Sequence, residues 1–263
     1  AHPAARACGG RSGHRGRGHN RGTNPPEPAV SRPALRLCLP LLLALPPAAF
    51  ADTPPAATAP DVATVADATR RAFDVPGIAV AIIKDGEVVL AEGFGQREAG
   101  KPAPVTADTR FAIASLTKAY TSAALSILAD EGKLSLDDRV IDHLPWFQMS
   151  DPYVTREMRL RDLLTHRSGL ALGAGDLLFW PTTTHDTREI VRRLRHVPLE
   201  TSFRADYAYD NVLYAVAQLV IEDVSGLSYG EFLRQRIFQP LGMGDTVVNA
   251  DHLPAGADVA TGH

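Results

Sequence analysis

Ser115 and Lys118 are the two residues whose types and spacing could most directly perform chemistry. The chain contains four lysines, and only Lys118 has a serine three residues before it. At the start of a helix, this spacing places both side chains on one face, one turn apart. A lysine kept neutral by burial or a nearby cation can take the proton of a serine hydroxyl, which then attacks a carbonyl carbon. The helix N-terminus favours the negative charge that develops during such acyl transfer.

The Ser-x-x-Lys spacing by itself also has a simpler interpretation. A serine at the start of a helix can cap it by accepting a backbone N–H, while a lysine one turn later extends into solvent. A chain of 263 residues can contain this spacing by chance. The choice between nucleophile and cap therefore depends on the surrounding sequence.

The helix that must carry the pair is predicted over residues 115–131, because this segment is rich in alanine and Gly132 follows it. Its buried face is expected to comprise Leu116, Tyr120, Leu125 and Leu128. Apolar residues at helical spacing predict four further helices downstream. These cover residues 160–164, 188–196, 211–224 and 229–238.

A β-hairpin is predicted ahead of this helical region. The β-rich runs 78–83 and 88–90 flank Asp85-Gly86, a dipeptide typical of tight hairpin turns because glycine accepts a positive φ. The second strand is expected to continue through residue 95. A helix beginning near Asp61 is predicted to precede the hairpin and to end at Val75-Pro76.

Four segments carry a family resemblance, and they occur in the order that the family has them. They are residues 110–118 together with 125–138, the run 163–170 (Leu-Leu-Thr-His-Arg-Ser-Gly-Leu), Tyr209-Asp210-Asn211, and 231–246 with its Pro-Leu-Gly-Met. Together they resemble the serine β-lactamase and penicillin-binding protein superfamily, and more narrowly the class C β-lactamase-related serine hydrolases. The resemblance covers roughly residues 61–250.

The resemblance implies an α+β fold of the β-lactamase/transpeptidase-like kind. In such a fold an antiparallel sheet packs with helices beside a mainly helical subdomain. Here only the N-terminal hairpin of the sheet is expected, with the C-terminal strands missing.

The resemblance also implies roles for four residues. Ser115 would become acylated, and Lys118 would act as base or hold the charge that lets Tyr209 do so. Tyr209 would pass a proton to the leaving group and later activate the deacylating water. Asn211 would bind the substrate or the Lys118 ammonium. The backbone amide of Ser115 would supply half of the oxyanion hole.

Several of these assignments have structural alternatives. Tyr207 also lies near Asn211, although only Tyr209 has the Tyr-x-Asn spacing. Asn211 could cap the helix that follows it, with or without a catalytic role. His166 is a candidate general base, but a loop histidine is more often a structural hydrogen-bonding group. Trp146 and Trp180 could line a cleft or belong to the core.

The third motif of the family, Lys-Thr-Gly or His-x-Gly on a strand beside the nucleophile, has no match after Asn211. The segments 255–257 and 261–263 do not fit it. Residues 61–263 are therefore interpreted as an incomplete β-lactamase-like catalytic domain. We expect weak or no activity from it, and an exposed sheet edge that favours association.

Three segments precede this domain. Residues 1–30 are expected to be disordered or to be non-native upstream sequence, because they contain almost no large apolar side chains. Residues 31–51 have the basic start, nine-residue apolar run and Ala-x-Ala end of a signal peptide. Residues 52–60 are a linker rich in proline, alanine and threonine. The protein is thus expected to be secreted or periplasmic, with no stable membrane span after signal cleavage.

Charge, cysteine positions and absent motifs exclude several classes of partner and of enzyme. The seven arginines and one acid before residue 52 leave 20 basic and 29 acidic residues after it, a net charge of −9 that argues against nucleic acid as a partner. Both cysteines, Cys8 and Cys38, lie in the early region, so the later part has no thiol nucleophile or disulfide. No Gly-x-Ser-x-Gly or His-Glu-x-x-His motif is present, and we expect no metal and no cofactor.

The sequence therefore predicts a serine hydrolase that forms an acyl-enzyme with a small molecule or peptide containing an ester, amide or β-lactam carbonyl. The alternative is a penicillin-binding-like sensor or interaction module, or a catalytically inactive fragment.

Overall fold

A computed structural model describes residues 61–262 of the chain. The predicted upstream segment, signal peptide and linker lie outside these described residues. No helix within the described range combines the length and the apolar character needed to cross a bilayer.

The first elements are a helix and the predicted hairpin. Helix α1 spans Val62–Ala72, and the Asp61 carboxylate caps it by accepting the Thr64 N–H at 3.3 Å. Strands β1 (Gly77–Lys84) and β2 (Glu87–Gly95) pair antiparallel, with a bulge between Ile82 and Ile83.

The hairpin prediction is confirmed at both its turn and its length. Asp85 and Gly86 form the turn with φ values of 53° and 83°, a left-handed geometry that Asp and Gly tolerate better than other residues. The second strand ends at Gly95, as the sequence predicted. The two strands form the sheet found in residues 61–262, and α1 packs against both of them.

The segment at residues 258–261 returns to the end of the hairpin. Val259 forms a parallel bridge with Arg110, and the Thr261 N–H donates to the Arg97 carbonyl at 2.9 Å. The Asp258 carboxylate accepts hydrogen bonds from Arg97 at 2.8 Å and from Thr109 at 3.0 Å. These contacts between residues far apart in the chain had no signal in the local sequence pattern.

The remaining elements are helical. They include the five helical segments that were predicted, although several differ from prediction in type or length, and two short helices at residues 140–143 and 152–157 that were not predicted. The α-helices are α2 (Thr117–Asp130), α3 (Val140–His143), α4 (Pro152–Glu157), α5 (Thr187–Arg193), α6 (Val212–Ser225) and α7 (Tyr229–Leu233). A π-turn at Arg234–Phe238 extends α7, and a 3₁₀ turn at Leu194–His196 extends α5. The segment Leu160–Leu164 is a 3₁₀ turn rather than an α-helix.

Helix α6 lies at the centre of the core and packs against α2, α5 and α7. The α6 side chains Leu213, Val216, Val220 and Ile221 are fully buried. Its C-terminal cap is Gly226, which adopts a left-handed φ of 71° that glycine accepts without steric cost. This buried helix follows directly on the Tyr-x-Asn segment and therefore holds that segment close to α2.

The prediction for α2 is partly wrong. Leu125 and Leu128 are fully buried and Tyr120 packs against the core, as expected, but the side chain of Leu116 is 69% exposed. Residues 114–116 form a 3₁₀ turn ahead of the helix, so the α-helical periodicity does not extend back to Leu116.

Candidate active site

Ser115 lies in the 3₁₀ turn Ala114–Leu116, immediately before α2 begins at Thr117. Ala114 has a φ of 43°, in the left-handed region that non-glycine residues rarely occupy. Such strain costs about 1–2 kcal/mol and is concentrated at functional sites, where the surrounding structure enforces it. The turn leaves Ser115 exposed at the helix N-terminus, so its hydroxyl is accessible to a substrate.

Lys118 joins the parts of the site. Its ammonium Nζ donates to Ser115 Oγ at 3.0 Å and to Asn211 Oδ1 at 2.6 Å. The same nitrogen lies over the ring of Tyr209, 4.6 Å from the ring centroid, and 5.1 Å from that of Tyr214. One cation is therefore in contact with the candidate nucleophile, the amide and two aromatic rings.

The Tyr209 side chain lies beside both members of the Ser-x-x-Lys pair. Hydrogen bonding to Lys118, and secondarily to Ser115, lowers the pKa of the Tyr209 hydroxyl from its ordinary value of 10.0. A tyrosine whose pKa is lowered in this way is deprotonated in a larger fraction of molecules, and only the deprotonated oxygen can accept a proton from the serine hydroxyl. Tyr207 is instead 68% exposed, and its ring forms a T-shaped pair with that of His166, with 5.7 Å between the ring centroids.

Asn211 occupies the N-cap position of α6, but its side chain does not cap the helix. Its Oδ1 accepts from Lys118, and its Nδ2 donates to Asp176 Oδ2 at 2.9 Å. The sequence left open whether Asn211 caps α6 or binds the Lys118 ammonium. The structure shows its side chain bound to Lys118 and not capping the helix.

His166 lies behind Tyr209 and is buried. Its ring stacks on that of Tyr209 with 4.3 Å between centroids, and its Nδ1 accepts the Asp210 backbone N–H at 3.1 Å. Burial, and then the Lys118 charge, lower the pKa of His166. A neutral imidazole that accepts a backbone hydrogen bond helps to hold the Tyr-x-Asn segment in place. His166 therefore has the structural role that the sequence offered as the alternative to a general base.

Asp210, between Tyr209 and Asn211, is a fully buried carboxyl group. Its Oδ2 accepts from Ser168 Oγ at 2.7 Å, while its Oδ1 has no hydrogen-bond partner among residues 61–262. Burial raises the pKa of Asp210 to about 6, and the charge of Asp176 adds to this effect. A buried group of this kind makes the stability of the folded state depend on pH.

The Asp210→Asn substitution is expected to remove this pH dependence. Because the pKa of Asp210 is higher in the folded chain than the usual value near 4, the folded state binds more protons between about pH 4 and pH 6. The wild type should therefore gain about 2 kcal/mol relative to the Asn variant as pH falls from 7 to 4.

Urea unfolding of both proteins at several pH values measures this difference. Asp206→Asn is a matched control, because it removes an exposed carboxyl group from the same segment. A constant difference between wild type and Asp210→Asn across pH 4–7 would contradict the prediction.

Asp176 is the residue of the site that sequence reasoning missed. It lies in the 3₁₀ turn Asp176–Leu178, which follows two glycines with positive φ, Gly173 and Gly175. The Gly173 N–H donates to the Tyr209 carbonyl at 2.9 Å and so attaches this loop to the Tyr-x-Asn segment. Nothing in the local sequence distinguishes Asp176 from other loop aspartates.

The two tryptophans do not form part of the polar network. Trp146 packs against the core, and the guanidinium groups of Arg188 and Arg192 lie 4.6 Å and 5.5 Å from its ring centroid. The side chain of Trp180 is 73% exposed.

A cleft of about 390 Å³ opens beside Ser115. Ser115, Lys118 and Asn211 line it on the polar side, while Phe179 and Ile190 contribute apolar surface. Within residues 61–262, no residue later in the sequence than Tyr229 lines the cleft. The segment at 255–257 is therefore not part of its wall. This volume is within the range of small-molecule binding sites.

Comparison with known proteins gives a consistent result. The family model described as Beta-lactamase matches residues 63–263. Among curated proteins, the "Unguisins hydrolase ungD'" of Aspergillus campestris is 32% identical over 222 residues, which cover 77% of this chain and 39% of that protein.

Two solved structures resemble the described fold. The octameric penicillin-binding protein homologue from Pyrococcus abyssi superposes with a TM-score of 0.66 at 30% identity, covering 76% of this chain and 47% of its own. The D-amino acid amidase from Ochrobactrum anthropi superposes with a TM-score of 0.65 at 29% identity, covering 77% of this chain and 59% of its own. The predicted β-lactamase/transpeptidase-like fold is thereby confirmed. The chain spans between about two fifths and three fifths of the length of these three relatives.

Proposed function

Because the chain belongs to the beta-lactamase family, we propose that it is a serine hydrolase in which Ser115 forms an acyl-enzyme with the carbonyl group of an ester, amide or β-lactam. The observation that carries the proposal is the contact of the Lys118 ammonium with Ser115 Oγ at 3.0 Å, beside the Tyr209 hydroxyl. A serine hydroxyl needs an adjacent proton acceptor to become a nucleophile, and this cluster supplies one.

The proposed first step is attack of Ser115 Oγ on the carbonyl carbon. As the C–O bond forms, the hydroxyl proton passes to the Tyr209 oxygen, and the carbonyl oxygen becomes an oxyanion near the N-terminus of α2. Collapse of the tetrahedral intermediate breaks the bond to the leaving group, which takes the proton from Tyr209. The product is an ester between the acyl group and Ser115.

The second step releases the acyl group. Tyr209 takes a proton from a water molecule, whose oxygen attacks the ester carbonyl. The Ser115 oxygen leaves with that proton, and the free acid departs. In both steps the positive charge of Lys118 favours the deprotonated form of Tyr209. Lys118 is assigned this role, and not that of the base, because its ammonium group donates hydrogen bonds to Ser115 and Asn211. This is the second of the two roles that the sequence allowed for Lys118.

The cleft supports a substrate whose acyl part is uncharged. Lys118 is the one cationic side chain in the cleft lining that the described residues provide, and it is occupied by the catalytic network. A relative named as a D-amino acid amidase is consistent with an amide substrate. The proposed partner is therefore a small molecule or peptide with a reactive carbonyl group. We further propose that the protein is secreted or periplasmic.

The test is to label the chain with a fluorophosphonate and, separately, with a chromogenic ester and a chromogenic cephalosporin, followed by time-resolved mass spectrometry. Labelling detects a single turnover and therefore reports even weak activity. We expect an adduct on the peptide that contains Ser115. A transient acyl adduct indicates a hydrolase, and a persistent one supports the alternative of a penicillin-binding-like sensor. Absence of any adduct at Ser115 would contradict the proposal.

A further inference from the structure

Beyond the Ser-Lys-Tyr cluster, the site contains a carboxylate with no role in the reaction as described. Asp176 lies 35 residues before Asn211 in the chain and contacts it through a single hydrogen bond, Asn211 Nδ2 to Asp176 Oδ2 at 2.9 Å. The other carboxylate oxygen, Oδ1, is buried and has no hydrogen-bond partner within residues 61–262. A buried carboxylate oxygen without a partner is costly and is retained where it serves a purpose.

The chemistry of the two neighbours permits only one orientation of the Asn211 amide. The Lys118 ammonium can only donate hydrogen bonds, and an ionised Asp176 carboxylate can only accept them. The amide between them must therefore direct its oxygen to Lys118 and its NH₂ to Asp176, as observed at 2.6 Å and 2.9 Å. Exchange of the amide oxygen and nitrogen would break both hydrogen bonds at once.

The loop that carries Asp176 is held close to the network by backbone contacts. Gly173 donates its N–H to the Tyr209 carbonyl, and the Trp180 N–H donates to the Asp176 carbonyl at 2.8 Å. A Cβ on Gly175 would lie 3.3–3.5 Å from the Val212 side chain, in the first turn of α6. This close approach between the loop and α6 fixes the position of the Asp176 carboxylate relative to Asn211.

We propose that Asp176 is a positioning residue, whose carboxylate orients the Asn211 amide so that its oxygen holds the Lys118 ammonium against Ser115. The expected effect on the reactivity of Ser115 rests on the proposed function, whereas the expected orientation of the Asn211 amide does not. Asp176 does not touch the reacting atoms. Its influence reaches Ser115 through two hydrogen-bonded side chains, Asn211 and Lys118.

Asp176→Asn is the informative substitution, because it keeps the shape of the side chain but allows it both to donate and to accept. The Asn211 amide then has two permitted orientations, one of which directs its NH₂ toward Lys118 and repels the ammonium. We expect the rate of fluorophosphonate labelling at Ser115 to fall about 100-fold, the effect expected of a misplaced catalytic group. Asp206→Asn is the matched control for the lost charge and should label at the wild-type rate.

A double-variant cycle distinguishes positioning from a general structural effect. If Asp176 acts through Asn211, Asp176→Asn should slow labelling in the wild-type background and have no further effect in the Asn211→Ala background. Urea unfolding of each variant shows that the fold is retained. Equal, multiplicative losses in both backgrounds would overturn the proposal, as would labelling of Asp176→Asn at the wild-type rate.

A readout independent of activity separates this inference from the proposed function. The chain contains four asparagines, so selective ¹⁵N-asparagine labelling gives a simple spectrum of side-chain amides, in which Asn211→Ala identifies the Asn211 pair. We expect slow hydrogen exchange at Asn211 Nδ2 in the wild type, and exchange at least 10-fold faster in Asp176→Asn. If the wild type shows this protection but no labelling at Ser115, the proposed function fails while the positioning role stands. Fast exchange in the wild type would overturn the positioning role.

Discussion

Replacing Lys118 by methionine is expected to slow acylation of Ser115 about 1,000-fold. Methionine has nearly the length of lysine but no charge and no N–H group. The substitution therefore removes the donor 3.0 Å from Ser115 Oγ and the cation 4.6 Å from the Tyr209 ring centroid. Without that charge, the pKa of Tyr209 returns toward its ordinary value, so a smaller fraction of Tyr209 is deprotonated and able to accept the Ser115 proton. The rate of adduct formation at Ser115, followed by intact-mass spectrometry, measures the effect.

Two further variants make this result interpretable. Lys84→Met removes an exposed lysine on β1 and should label at the wild-type rate. Lys118→Arg keeps the positive charge in a group that cannot act as a base, because arginine stays protonated in proteins. If Lys118 acts through its charge, the Arg variant should label at least about 10-fold faster than the Met variant. Equal rates for the Arg and Met variants would instead indicate that Lys118 itself accepts the proton.

Tyr209→Phe is expected to slow acylation about 100-fold and to slow release of the acyl group by a similar factor. The substitution removes only the hydroxyl, so the stacking on His166 and the ring beneath Lys118 are retained. Because hydrogen bonds to Lys118 and Ser115 lower the pKa of Tyr209, the wild-type labelling rate should rise with pH, with its midpoint below pH 10. The Phe variant should lack this rise.

Tyr207→Phe is the matched control for this prediction. Tyr207 lies two residues away and is largely exposed. Among the aromatic groups of the site it pairs only with His166, in a T-shaped arrangement of the two rings. It should label at the wild-type rate with an unchanged pH profile. A large loss in Tyr207→Phe, with little change in Tyr209→Phe, would reverse the assignment of the two tyrosines. Labelling over pH 6–10 with a single probe gives both comparisons.

Elements whose signals are local were predicted well from the sequence. The hairpin depends on the pairing of two β-rich runs that are neighbours in the sequence, and on the left-handed turn at Asp85-Gly86. Both features lie within about 20 residues. The helical region and the Gly226 cap follow from apolar periodicity and the conformational freedom of glycine in the same way.

Errors occurred where tertiary contacts override local preference. Leu116 was expected in the core because it fits the periodicity of α2, yet the chain tightens into a 3₁₀ turn at residues 114–116 and leaves it exposed. The strained φ of Ala114 is part of the same turn. Local propensity cannot predict a strained turn, because the energy that maintains it comes from packing elsewhere in the fold.

For the candidate site, the sequence by itself determined which residues have the chemical capacity to act. Ser115 and Lys118 are one helical turn apart, and Tyr209 and Asn211 have the spacing of a recognisable motif. Only the tertiary structure decided how they combine, because Lys118 and Asn211 are separated by 93 positions and meet only where α2 packs against α6. It also introduced Asp176, since a hydrogen bond is specified by the position of two atoms in space rather than by the separation of their residues along the chain.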